Sequence, residues 1–294
     1  MGLERFNGFM GSSPDYGKAD IVIMGAPMDI TVSFRPGARF GPHHIRLVSV
    51  GLEEYSPVAE RDLSDYVYHD LGDVEIVPGR VEKNLEYIAE AMDGVLSDRK
   101  FPVLLGGEHL VTLPAVEKAA SHYPGLVVVQ LDAHADLRDE YLGEKLSHAT
   151  VMRRVAEVVG GRNIFQCGIR SGAREEFRFA REETNLYHEV NGENIENIIA
   201  GVAGRPVYLT LDIDVVDPAY ASGTGTPEPG GCSAKEILQA LHMLARLPVV
   251  GFDLVEVCPV YDPGESTSLL AAKLIREAIL LFGHNFIAGH STTA

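Results

Sequence analysis

Residues 125–141 read GLVVVQLDAHADLRDEY, an apolar run followed directly by charged residues. Its first half is a near-continuous run of valine and leucine, which is typical of a strand buried on both faces of a parallel sheet. The chain then passes directly into Asp132, His134 and Asp136. In an extended chain every second side chain points to the same face, so these three groups can converge on one side. A buried strand is therefore predicted to end in groups that bind metal ions.

Similar apolar runs recur along the chain and are separated by stretches with helical periodicity. The other runs span residues 19–27, 101–107, 163–170, 206–214 and 249–257. The helical stretches span residues 81–98, 148–160 and 233–247. This alternation predicts an α/β fold in which helices cover both faces of a parallel sheet.

The composition is that of an ordinary globular protein with a strong acidic excess. Of the 294 residues, 46% are hydrophobic and 23% are charged, and the formal net charge is −17. Such a surface disfavours nucleic acid and anionic membranes, which select basic patches, and it attracts metal ions and amines. No apolar run reaches the roughly 18 residues of a membrane span.

Cysteine usage and chain organisation predict the setting of the protein. Cys167, Cys232 and Cys258 are far apart and form no CxxC pair, which argues against a disulfide framework or a structural zinc site. The N-terminal stretch has no apolar region of the kind found in signal peptides. We expect a cytoplasmic protein with one domain over residues 1–294, in which residues 1–18 form an N-terminal arm and residues 284–294 a C-terminal tail.

Acidic residues and histidines also follow other predicted strands, at the edge where open parallel sheets bind ligands. With the first stretch they give six candidate metal ligands, and Glu256 follows a further strand; the six are His109, Asp132, His134, Asp136, Asp212 and Asp214. Four buried carboxylates repel one another and are costly to desolvate, whereas two divalent cations would supply four positive charges. The donor set suits manganese or a similar ion, and two such ions about 4 Å apart can activate a bridging water.

The ordered motifs GGEH, DAHAD, SHAT, DIDVVDP, GTGTP and DLVEV resemble those of the ureohydrolase family of arginases and agmatinases. The stretches at residues 33–46, 51–57 and 168–177 look closer to bacterial agmatinases than to arginases. The resemblance implies a three-layer α/β/α fold around a mainly parallel, eight-stranded sheet. It also implies two Mn²⁺ ions per chain, hydrolysis of a guanidinium group to urea and an amine, and a homo-oligomer, either a trimer or a hexamer.

The resemblance further implies a role for each site residue. His109 and Asp136 would bind one ion, His134 and Asp214 the other, while Asp132 and Asp212 would bridge both. Glu256 would pair with the substrate guanidinium. Asp136 would hydrogen-bond the metal-bridging hydroxide and pass its proton on. His148 would contact the substrate and exchange protons with bulk water, and Thr226 would lie near the substrate. Asp217 is expected only to form a turn.

The loop LRDEYLGEKL, residues 137–146, indicates which guanidine is bound. Arginases hold the substrate carboxylate with hydroxyl and amide side chains in this loop, whereas this loop contains Asp139, Glu140 and Glu144. Acidic residues at the pocket mouth would tolerate a free amine, so we predict agmatine, giving putrescine and urea. Arg138 or Lys145 could pair with a carboxylate instead, which leaves guanidinobutyrate and arginine open.

Two hypotheses that do not involve ureohydrolase activity also stay open. One is a metal-dependent binding or regulatory protein that has lost catalysis. The other is a deacetylase-like zinc amidohydrolase, which would use a single metal ion and for which the candidate ligands are too many.

Overall fold

The structure, a computed structural model, describes residues 8–291, and side chains up to residue 289. The strands in these residues are β1 (Ile21–Ala26), β2 (Tyr55–Ser56), β3 (Arg61–Asp62), β4 (Tyr68–Asp73), β5 (Phe101–Gly106), β6 (Val127–Leu131), β7 (Ile164–Cys167), β8 (Asn185–Tyr187), β9 (Val207–Asp212) and β10 (Val249–Val255). The α-helices are α1 (Gly41–Ser49), α2 (Val81–Ser97), α3 (Thr112–His122), α4 (Val151–Val159), α5 (Arg174–Glu183), α6 (Gly192–Val202), α7 (Ala234–Leu244), α8 (Ser266–Ala278) and α9 (His284–Ser291).

Eight of the strands form one parallel sheet, in the order β4-β1-β5-β10-β9-β6-β7-β8. All residues of β1, β5, β6, β7, β9 and β10 are buried. This confirms that their near-continuous apolar runs are strands covered on both faces. The edge strands β4 and β8 were not among the predicted runs, because they are short or polar and have no such signal.

Helices cover the two faces of the sheet and form two hydrophobic cores. On one face, side chains such as Ile23, Val103 and Leu209 pack with residues of α1, α6, α7 and α8. On the other face, Met24 and Val128 pack with residues of α2, α3 and α4. Because alternate strand residues point to opposite faces, each strand supplies both cores. The predicted three-layer α/β/α architecture is confirmed.

The chain ends differ from the sequence expectation of an arm and a tail. Of the predicted arm, residues 1–7 lie outside the described residues, and Phe9 and Met10 are buried in the first core. Residues 284–291 of the predicted tail form helix α9, in which Phe286 packs against Phe101 with ring centroids 5.5 Å apart. Packing contacts, and not local periodicity, hold this helix in place, since Tyr66 Oη also lies 2.9 Å from Nδ1 of His284.

The predicted absence of disulfides is confirmed, since Cys167, Cys232 and Cys258 are all free and buried. Among the described residues, no helix combines the length and the apolarity that spanning a membrane requires.

The buried Glu277 carboxylate links α8 to residues of other elements. The Glu277 carboxylate accepts hydrogen bonds from Arg276 and from Ser56 Oγ at 2.9 Å, and lies 3.0 Å from Nε2 of His242. Burial alone would raise the pKa of Glu277, but its bonds to His242, Arg276 and Ser56 lower it to about 2. The ionised carboxylate therefore stabilises the fold.

We predict that Glu277→Ala lowers the free energy of unfolding by about 3 kcal/mol at pH 7, because Arg276 is left buried without its partner. Since the pKa is depressed, the contribution of the charge is complete above pH of about 4.5 and is lost as pH falls towards about 2. Denaturant unfolding measures both effects. Glu182→Ala, in an exposed pair with Arg178, is the control and should cost under about 0.5 kcal/mol. An equal loss in the two variants would contradict the prediction.

Candidate metal centre

The central strands bring the predicted site residues to one edge of the sheet. In the order β5-β10-β9-β6, each strand is hydrogen-bonded to the next, and all run in the same direction. Asp132 and Glu256 directly follow β6 and β10, Asp212 is the last residue of β9, and His109 begins a 3-10 helix after β5. Side chains that are far apart in the sequence therefore lie next to one another.

The turn before His109 depends on Gly107. A Cβ at this position would lie 1.9 Å from the carbonyl oxygen of Met28, so no larger residue fits. The Gly107 N–H donates to Ala26 at 2.8 Å, and its carbonyl accepts from the N–H of Glu256 at 2.8 Å. This close packing fixes the positions of His109 and Glu256 relative to each other.

Two of the carboxylates are oriented by the backbone two residues further along. Oδ1 of Asp132 accepts the N–H of His134 at 2.6 Å, and Oδ1 of Asp212 accepts the N–H of Asp214 at 2.8 Å. Such local bonds are typical of aspartate at turns. In both cases Oδ2 is left to face His109, at 3.0 Å from Asp132 and 3.5 Å from Asp212.

The ligands of the DAHAD motif converge by a different route from the one we predicted. Strand β6 ends at Leu131, so residues 132–136 are not a regular extension of it. Asp136 has a φ of +52° and Glu256 a φ of +64°, both in the left-handed region that non-glycine residues rarely adopt. Through this turn, Asp136 Oδ2 comes within 3.2 Å of His109 Nδ1. Strain of this kind is common where a site fixes a side chain.

Two groups of side chains have ligand atoms close enough to hold a metal ion. They are His109, Asp132 and Asp212, and Asp132, His134 and Asp214, with all ligand atoms in each group within 4.8 Å of one another. Asp132 belongs to both groups, since its Oδ2 faces His109 while its Oδ1 lies 3.7 Å from Nδ1 of His134. His134 Nδ1 is also 2.9 Å from Asp214 Oδ2. This geometry has the form of two adjacent sites with one shared carboxylate.

The charges in the cluster are not balanced by the protein alone. Burial, together with the neighbouring charges of Asp214 and Asp136, raises the pKa of Asp132 to about 7. Burial and nearby carboxylates also raise the pKa of Asp212 well above its usual range. Against the effect of burial, the carboxylate of Asp214 raises the pKa of His134 to about 11. These shifts all favour the uptake of positive charge, which bound cations would also supply.

His109 tests whether these residues fit metal ions. Its Nε2 lies 3.0 Å from Thr210 Oγ1, which fixes the ring, whereas its buried Nδ1 has no hydrogen-bond partner among the described residues. Nδ1 instead points at carboxylate oxygens of Asp132, Asp136 and Asp212. An imidazole nitrogen and carboxylates that converge in this way are the donor set expected around a divalent cation.

A pocket of about 250 Å³ opens onto this cluster. The predicted substrate-side residues Glu256, Thr226 and His148 all line it, as does Asp136. Glu256 Oε1 accepts the N–H of His109 at 2.8 Å, and burial raises the pKa of this carboxyl to about 8. Thr226 Oγ1 donates to Asp214 Oδ2 at 3.3 Å. The ligand groups and a cavity of small-molecule size are therefore contiguous.

His148 lines the pocket at the start of a 3-10 helix, His148–Thr150. Burial lowers its pKa below the ordinary value, and the charge of Asp136 offsets this only in part. The neutral imidazole is therefore favoured over the protonated form more than in free histidine. Asp217 lies outside the pocket lining, and its carboxylate accepts backbone N–H groups of Ala219, Gly230 and Gly231, as a turn-forming residue would.

The acidic residues of the 137–146 loop are not among the residues that line this pocket. Asp139 instead pairs with Arg154 at 2.9 Å, and Glu140 and Glu144 are exposed. Arg138 and Tyr141 of this loop do line the pocket, whereas Lys145 is exposed.

Sequence reasoning missed Ser33, Tyr141, Ser171 and Glu176, which also line the pocket. Glu176 is buried and accepts backbone N–H groups of Leu137 at 3.0 Å and Ala173 at 2.6 Å. It also lies 3.4 Å from Nε of Arg138. The only sequence signal for Glu176 is its position in the first turn of α5, which indicates a helix cap and not a pocket wall.

Comparison with known proteins places these features in a family context. Residues 19–281 match the sequence model of the arginase family. The agmatinase of Bacillus subtilis (strain 168) is 48% identical over 95% of this chain and 98% of its own length. The guanidinobutyrase of Pseudomonas aeruginosa is 35% identical over 88% of this chain and 85% of its own. The crystal structure of the agmatine ureohydrolase of Thermoplasma volcanium superposes with a TM-score of 0.87, at 35% identity, over 98% of this chain and 97% of that one.

We predict that single amide substitutions separate the two ligand groups. Asp132→Asn should lower the affinity for both ions by at least about ten-fold, because an amide removes the charge that offsets the cation. Asp214→Asn should lower the affinity mainly for one ion, by a similar factor. Metal content after dialysis against Mn²⁺ measures this, and Asp217→Asn, which changes only a turn, is the control. Two retained ions in Asp132→Asn would contradict the shared ligand.

Proposed function

The chain belongs to the arginase family, and on that premise we propose that it is an agmatinase, a dinuclear manganese hydrolase that converts agmatine and water to putrescine and urea. The observation that most supports the proposal is the pair of ligand groups that share Asp132, with Glu256 beside them in the same pocket. The agreement of the relatives over nearly the whole length of the chain supports the same activity.

Glu256 would bind and orient the substrate. A guanidinium group presents parallel N–H donors that match a carboxylate, and charge-assisted pairs of this kind are strong and directional. Burial raises the pKa of Glu256 to about 8, and a guanidinium cation beside it would favour the ionised form. One Glu256 oxygen is already fixed by the backbone N–H of His109 at 2.8 Å, so the carboxylate is held before the substrate arrives. The pairing places the guanidinium carbon above the ligand cluster, which converts attack by water into a reaction within one complex.

The remaining steps are proton transfers. When bound, the two ions supply a strong nucleophile from water at neutral pH and offset the charge of the carboxylates. Asp136 would accept the proton that water loses and deliver it to the leaving amine nitrogen as the C–N bond breaks. His148, whose pKa is lowered by burial, would then exchange protons between the pocket and solvent.

Arg138 favours a second candidate substrate, guanidinobutyrate, whose far end is a carboxylate. Its guanidinium lines the pocket and stacks over the Tyr141 ring, with 5.2 Å between the guanidinium carbon and the ring centroid. However, Glu176 lies 3.4 Å from Arg138 and neutralises much of its charge. We therefore retain agmatine as the substrate, with Glu176 in the acidic role that the 137–146 loop was expected to fill.

We also expect a homo-oligomer, either a trimer or a hexamer. The enzyme is expected to be cytoplasmic and to make putrescine for polyamine biosynthesis. Analytical ultracentrifugation of the full chain tests the first, since a monomer at micromolar concentration would contradict it.

A substrate panel tests the proposed function. With Mn²⁺ added, urea release from agmatine should exceed that from guanidinobutyrate and arginine by at least about ten-fold in kcat/KM, because one mispaired charge in a pocket costs at least that factor. Replacing Mn²⁺ with Zn²⁺ or Mg²⁺ in the same assay tests the metal. A preference for guanidinobutyrate would favour the second candidate, and no urea from any guanidine would contradict a ureohydrolase.

Glu256→Gln isolates the substrate-binding role. The amide keeps the shape and the acceptor for the His109 N–H but loses the charge, so kcat/KM for agmatine should fall by at least about 100-fold. Metal content should be unchanged, since Glu256 is not among the proposed ligands. Kinetics and metal analysis of the same preparation measure both, and wild-type kcat/KM in this variant would exclude the role.

A further inference from the structure

The segment 29–33 contacts both ring nitrogens of His148, although it is more than a hundred residues away in sequence. Thr31 Oγ1 accepts the backbone N–H of His148 at 3.0 Å and lies 3.4 Å from its Nδ1. Ser33 Oγ lies 3.3 Å from its Nε2. Tyr141 closes another side of the imidazole, in an edge-on contact with ring centroids 5.7 Å apart. Ser147 Oγ also lies 3.5 Å from Nδ1. The ring therefore has a hydroxyl of the 29–33 segment at each nitrogen, with Ser147 as a second neighbour of Nδ1.

This segment is itself anchored to the metal centre. The N–H of Thr31 donates to Oε2 of the buried Glu108 at 2.7 Å. Glu108 directly precedes His109, and its own N–H donates to the Met28 carbonyl at 2.7 Å. Thr31 therefore connects the strand end that holds His109 with the loop that presents His148.

The chemistry of a hydroxyl suits a group that gains and loses a proton. A hydroxyl can donate to an imidazole nitrogen that lacks hydrogen and can accept from one that has it. Thr31 and Ser33 can therefore stay bonded to His148 in its neutral and its protonated form. A carboxylate partner would instead favour the protonated form and hold the proton.

From these contacts we propose that Thr31 is a positioning residue for His148, and that Ser33 completes its support at the second ring nitrogen. The inference rests on the proposed function, since it concerns the orientation from which His148 exchanges protons. Neither residue is a proposed ligand of the metals or a partner of the guanidinium.

Variants of Thr31 separate its hydroxyl from its backbone. Thr31→Val has nearly the same volume and keeps the N–H that binds Glu108, but removes the hydroxyl. In the full-length, Mn²⁺-loaded protein we expect kcat for agmatine to fall about ten-fold with KM and metal content little changed, because proton transfer and not binding is impaired. Thr31→Ser, which keeps the hydroxyl, should restore kcat to within about two- to three-fold of the wild type. Equal losses in both variants, or no loss in Thr31→Val, would overturn the inference.

A double-mutant cycle tests whether Thr31 acts through His148. His148→Ala should lower kcat by about 100-fold, and adding Thr31→Val to it should have almost no further effect, since the ring that Thr31 holds is gone. A further ten-fold loss in the double variant would show that Thr31 acts independently, and would overturn the inference even if the enzyme is an agmatinase. Absence of urea release by the wild-type chain would instead contradict the proposed function, and the inference with it.

Discussion

Buried carboxylates that repel one another impose the main physical constraint on this site. They belong to Asp132, Asp136, Asp212 and Asp214. The carboxylates meet at one sheet edge, where burial and their neighbours raise the pKa of Asp132 and of Asp212. Two divalent cations would remove this cost, and Nδ1 of His109, 3.0 Å from Oδ2 of Asp132, already points to where one of them would bind. The acidic cluster therefore supplies the ligands of a metal centre, and bound cations would supply the compensating positive charge.

The parallel sheet explains how residues far apart in the sequence assemble such a cluster. Fully buried strands hold the loops rigidly, and the positive φ angles of Asp136 and Glu256 are confined to the turns directly after them. Glu256 is bonded to the backbone of His109, so the proposed substrate anchor and a proposed ligand move as one unit. Thr31 extends this coupling to His148 through Glu108. Rigid support of this kind is what precise placement of reacting groups requires.

The sequence allowed prediction of the buried strands and the candidate ligands, because both have a simple pattern. Continuous apolar runs indicate strands covered on both faces, and acidic residues or histidines directly after them fall at a shared edge. The wall of the pocket has no such pattern. Glu176 reaches it from the start of α5 and Ser33 from a long loop, and in the 137–146 loop the direction of each side chain depends on ion pairs such as Asp139 with Arg154. Strands β4 and β8 were missed because they are short or polar, and helix α9 because it has little local periodicity.

Two cations that share Asp132 should be visible by anomalous diffraction at the manganese absorption edge, from crystals grown with Mn²⁺. We expect two peaks on either side of the Asp132 carboxylate, one next to His109 and Asp212 and the other next to His134 and Asp214. A single peak, or peaks that Asp132 does not contact, would contradict this expectation.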